Sequence, residues 1–129
     1  MRRVTIALVL PVAALVATAC GSSANVTYDA GHTQSAMKDA GWTTRVTAGM
    51  PQTYTGAKQV AFLDTTAPDG ALIDLQFMDT PAHATAEYTV AHQHNYNGAA
   101  YGNVLVIAHT IGQSVTSGDL DSVQGLLKT

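Results

Sequence analysis

The sequence predicts an α+β domain: a small, mainly antiparallel sheet with helices packed on one face. Three observations predict it. Two apolar runs, within residues 59–78, flank the turn signal Ala67-Pro68-Asp69-Gly70 and read as a hairpin. Residues 103–110 (NVLVIAHT) form a third strand, rich in β-branched side chains. Helical patterns stand before, between and after these strands, at about 30–40, 81–95 and 118–127, giving the order α–(β)–β–β–α–β–α.

Each element carries its own signal. Asp29 is placed to cap the first helix. Gly41 suits the left-handed position that ends it, and Trp42 follows where it can pack on Met37 in a Schellman arrangement. Residues 43–46 make a possible short strand, and 47–58 is irregular, with Gly49, Met50-Pro51 and Gly56. In the hairpin, Ile73, Leu75 and Phe77 alternate with Asp74 and Gln76, which predicts one buried and one wet face. Thr80 caps the second helix and Pro81 opens it. Ala84, Tyr88 and Ala91 form its core stripe, and it stops before Asn97-Gly98. The unbroken Val-Leu-Val-Ile run of 104–107 predicts an inner strand covered on both faces. Thr116 or Ser117 caps the last helix, Asp119 lies in its first turn, and Leu120, Val123 and Leu127 form its apolar stripe.

At 129 residues the chain has room for one modest core, and its 12% of charged residues is low. Residues 1–20 read as a targeting segment. Arg2 and Arg3 form a positive start, Val4 to Val16 is uncharged and apolar, and Ala17-Thr18-Ala19 is a small-residue cleavage site before Cys20. The uncharged run of 16 residues would make a helix of about 24 Å at ~1.5 Å per residue, against ~30 Å of hydrocarbon, and Pro11 interrupts it. A cleaved signal at 1–19 is therefore expected, followed by a tether at 20–25 and a single domain at 26–129. After cleavage, Lys38, Arg45, Lys58 and Lys128 face nine carboxylates, a net charge of −5. Such a domain has no basic footprint for nucleic acid or for anionic headgroups.

Val16-Ala17-Thr18-Ala19-Cys20, followed by Gly21-Ser22-Ser23, resembles the lipobox of bacterial lipoproteins. The resemblance implies that the Cys20 sulfur carries diacylglycerol and that signal peptidase II cuts just before it. The protein would then be anchored to a membrane on its extracytoplasmic face, with an envelope protein as a possible partner. Ala17 stands where Leu is usual, and Ala17-Thr18-Ala19 also fits ordinary signal peptidase, whose product would be a secreted protein with a free thiol. Cys20 is the only cysteine, so no disulfide or multi-thiolate metal site is expected.

Two constellations stand out in the domain. His83 and Glu87 lie one helical turn apart and are candidate metal ligands; the competing reading is an exposed pair on a solvated face. His92, His94, Tyr96 and Tyr101 are candidate ligand-binding residues around the segment 95–103, whose glycines and amides equally suit a helix exit. His109 reads as a polar strand-end residue, and Asp64, Asp69 and Asp74 as turn chemistry around the hairpin. Gly112-Gln113-Ser114-Val115-Thr116 lacks the second glycine of a nucleophile elbow. No cofactor is expected. The sequence thus favours a lipid-tethered, non-enzymatic binding or accessory domain. A metal or small-ligand binder using 83–103 is the alternative, and a small hydrolase ranks last.

Overall fold

A computed structural model describes residues 25–47 and 52–129. The elements are α1 (Ala30–Asp39), β1 (Thr43–Val46), β2 (Gln59–Thr66), β3 (Leu72–Met78), α2 (Pro81–Gln93), β4 (Gly98–Tyr101), β5 (Val104–Ala108) and α3 (Ser117–Leu127). The fold is α+β, with five antiparallel strands in the order β1-β2-β3-β5-β4. The signal segment, Cys20 and Met50-Pro51 lie outside the described residues.

Local chemistry sets the helix ends. The Asp29 carboxylate accepts from the His32 amide at 2.8 Å, Thr80 caps α2 and Thr116 caps α3. At the end of α1 the Trp42 amide reaches back to the Met37 carbonyl at 2.9 Å and the Gly41 amide to Lys38 at 3.1 Å. Gly41 has φ +90°, so this is the expected Schellman motif. The 67–70 turn closes with Gly70 N–H on Ala67 O at 2.8 Å, and Asp69 accepts from the Ala71 amide at 3.0 Å.

Strand alternation divides the sheet into two faces. Leu63, Ile73, Leu75, Phe77, Val104 and Val106 point to one side, where Met37 of α1, Trp42, and Val123 and Leu127 of α3 complete the core. This is the Leu75 face. Phe62, Asp64, Asp74, Gln76, Leu105 and Ile107 point to the other, the Asp74 face. Helix α2 lies on that side, where Glu87 and Ala91 meet Phe62, Gln76 and Ile107 around one cavity. The expected packing of all helices on one face is therefore corrected: α1 and α3 cover one face and α2 part of the other. The hairpin's second face is not wet either, since Asp74 is buried and Gln76 half-buried.

Strand β5 is buried along its whole length between β3 and β4, as its unbroken apolar run predicts. Strand β4 departs from the sequence reading, which left 98–101 as a helix exit. Gly-Ala-Ala-Tyr has no β-branched residue, so its extended form comes from pairing with β5 rather than from propensity. Gly98 is needed there, because a Cβ would stand 1.8 Å from the Val106 carbonyl oxygen.

A polar clamp holds the chain at Tyr28, ahead of α1. The buried Asn103 amide accepts from Tyr28 N–H at 2.6 Å and donates to the carbonyls of Tyr28 at 3.2 Å and Met78 at 3.0 Å. Among the described residues, no helix is long and apolar enough to cross a membrane.

Candidate functional site

The hairpin register sets Asp64 of β2 directly opposite Asp74 of β3 on the Asp74 face. Like charges facing each other across a ladder are destabilising, so the pair needs partners. Asp64 Oδ2 accepts from the Arg45 guanidinium of β1 at 2.9 Å and from the Thr47 hydroxyl at 3.0 Å. Asp74 has His109 instead, just beyond β5, with Nδ1 at 3.0 and 3.1 Å from its two oxygens. The same Nδ1 lies 3.8 Å from Asp64 Oδ1. Three strands and a strand exit thus bring Arg45, Asp64, Asp74 and His109 together.

The environment divides the two carboxyls. Burial pushes Asp74 up to about 6, against the pull of His109. Burial also acts on Asp64, but hydrogen bonds from Arg45, the Asp74 carboxyl and Thr47 outweigh it and hold Asp64 below the ordinary carboxylate range. The hydrogen bond and charge of Asp74 raise His109, although its side chain is about half exposed. Asp74 and His109 therefore both hold their protons more tightly than the free side chains do, and Asp64 less tightly.

Two cavities meet at Asp74 and His109. One, of about 300 Å³, lies over the β1–β2–β3 part of the sheet, with Thr43, Thr66 and Leu72 among its walls. The other, of about 180 Å³, lies under α2 and the 52–54 segment. Two wider grooves lie elsewhere. One of about 620 Å³ beside Pro81 has no ionisable wall, and one of about 530 Å³ beside Trp42 has only carboxylates as ionisable groups.

The residues expected to carry function have other settings. Glu87 is 2% exposed and not on a solvated face. It accepts from the Tyr54 amide at 2.7 Å, and from the Thr55 amide and hydroxyl at 3.0 and 2.8 Å. These bonds strap the loop after β1 onto α2. His83 pairs instead with Asp79 at 2.5 Å, in an exposed setting at the start of α2. That bond holds the Asp79 carboxyl below its ordinary range. The His94 ring stacks on Tyr54 with centroids 4.3 Å apart, while its Nδ1 meets the Val90 carbonyl at 2.9 Å. His92 tilts against Tyr88, with ring centroids 5.6 Å apart. Tyr96 lines the smaller cavity, whereas Tyr101 packs against the core of the Leu75 face. The structure therefore does not gather Tyr96 and Tyr101 into one site.

Sequence reasoning assigns Asp64 and Asp74 to turn chemistry and His109 to a strand end, and does not join them into a site. A signal was present: Asp64 and Asp74 each stand five residues from Asp69, so a hairpin centred on that residue pairs the two acids. Comparison with protein-family models, curated proteins and solved structures returns no match.

Proposed function

We propose that this chain is an exported lipoprotein, held by a lipid on Cys20 at the extracytoplasmic face of a membrane. In this reading its α+β domain is a binding domain, and the ligand surface is the open part of the Asp74 face. The lipobox-like segment ending at Cys20 supports the address. The observation that carries the binding reading is the charged cluster at the floor of an open cleft of about 300 Å³. A domain that needed only stability would not set two acids face to face across a ladder, one of them buried. Among the described residues, the hydrogen-bonding partner of the His109 ring is Asp74, with no hydroxyl nucleophile on it, which favours binding over acyl transfer.

Two measurements test this. The intact mass of the chain recovered from the envelope fraction should equal residues 20–129 plus a diacylglyceryl group; a full-length mass would overturn the address. Capture from the same fraction should depend on the cleft. Thr43 lines it from the exposed edge strand, so Thr43→Trp should fill it and abolish what the wild type retains. Identical capture by both would place the ligand surface elsewhere.

A further inference from the structure

We propose that Asp64, Asp74 and His109 form a binding site for one divalent transition-metal ion of the zinc type, coordinated by one oxygen from each carboxylate and by the imidazole. The inference deepens the binding reading, since it names a ligand for the same cleft. It rests first on spacing. A tetrahedral ion with bonds of about 2.1 Å sets its ligand atoms about 3.4 Å apart. His109 Nδ1 lies 3.0 Å from Asp74 Oδ1 and 3.8 Å from Asp64 Oδ1, and one ligand atom from each residue lies within 4.8 Å of the other two. The ligand atoms thus already lie near the spacing that one ion needs.

The second support is charge. Arg45 neutralises Asp64 through Oδ2 and leaves Oδ1 turned toward His109. Among the described residues, Asp74 has no permanently charged partner, although it is only 8% exposed. A divalent cation between the two facing carboxylates would add to the neutralisation that His109 alone gives Asp74. The third is ligand chemistry. Two oxygens and an imidazole nitrogen suit zinc, manganese or iron, whereas an all-oxygen shell would suit calcium. The half-exposed His109 and the cavity leave room for a water as fourth ligand. His83 and Glu87 contribute nothing to this site, because Asp79 and the 54–55 backbone occupy them.

The test is calorimetric titration of the full chain, purified in detergent and stripped with a chelator, with Zn²⁺, Mn²⁺ and Ca²⁺ as probes. Zn²⁺ should bind one to one, with protons released and Ca²⁺ at least ten-fold weaker. Asp74→Asn and His109→Ala should each weaken Zn²⁺ at least ten-fold, while His83→Ala leaves it unchanged. If Asp74→Asn fails to fold, broadening of wild-type amide resonances by Mn²⁺ reads the site directly and should centre on Asp64, Asp74 and His109. Zn²⁺ affinity indifferent to Asp74 and His109, or no binding at millimolar metal, overturns the proposal. Failure here leaves the dependence of capture on Thr43 intact, so the metal and the binding reading can fall separately.

Discussion

The two faces of the sheet are built on different principles. The Leu75 face is mainly apolar and closed by two helices, with Leu75, Phe77, Val104 and Val106 fully buried. The Asp74 face carries two acids and a glutamine in its strands and is covered in part by one helix and a strapped loop. The first holds the fold together through burial of apolar area. The second has its polar groups satisfied one by one, through Arg45, Thr47, His109 and the 54–55 amides. Stability is concentrated on one side of the sheet, and the chemistry able to meet a ligand on the other.

Substitutions should separate the faces by size of effect. Phe77→Ala, on the closed face, should cost about 3–5 kcal/mol in denaturant unfolding, because it opens a cavity among fixed neighbours. A loss below about 1 kcal/mol would mean that this face is not the anchor. Glu87→Gln should cost about 2–3 kcal/mol, since it removes a charged acceptor from three donors. Its signature is local: hydrogen exchange should accelerate at Tyr54 and Thr55 before it does in β3.

Between about pH 4 and pH 7, acidity should act mainly on the Asp74 face. Asp74 keeps its proton up to about 6 in the fold but releases it near 3.8 when unfolded, so its contribution falls as pH rises between those values. His109 is raised as well, so its contribution is complete below 6.5 and is lost as pH rises through its folded value. Asp64 runs the other way, and loses its contribution as pH falls below its unfolded value. The metal-free chain should therefore lose on the order of 2 kcal/mol between about pH 4 and pH 7. Asp74→Asn should flatten most of that slope in urea titrations at several pH values; an unchanged slope would assign it to other groups. Arg45→Ala should have the smallest effect, under about 1 kcal/mol and reduced by salt, since the arginine is largely exposed.

What was legible in the sequence was local. The caps at Asp29, Thr80 and Thr116, the Schellman ending at Gly41 and the 67–70 turn depend on side chains within a few residues of the backbone they serve. Strand β4 was not legible, because Ala99 and Ala100 are extended only by virtue of β5 beside them. The second covered face was half legible. The run Val104–Ile107 calls for apolar cover on both sides, and α2 supplies the cover opposite α1 and α3. The site was hidden for a different reason. Each of its residues has an ordinary local role, and only the pairings of β1 with β2, β2 with β3, and β3 with β5 bring them together.

The Asn103 clamp has a geometric consequence for an anchored molecule. Both backbone groups of Tyr28 are held by one side chain, so a tether from Cys20 would end there. From Cys20 to Tyr28 is eight residues, a leash of at most about 28 Å. Strand β5 departs from that fixed point, and His109 lies six residues further on, about 20 Å away. On the proposed lipid anchor, the Asn103 end would be the tethered one and the acid–histidine end the farther from the point of attachment.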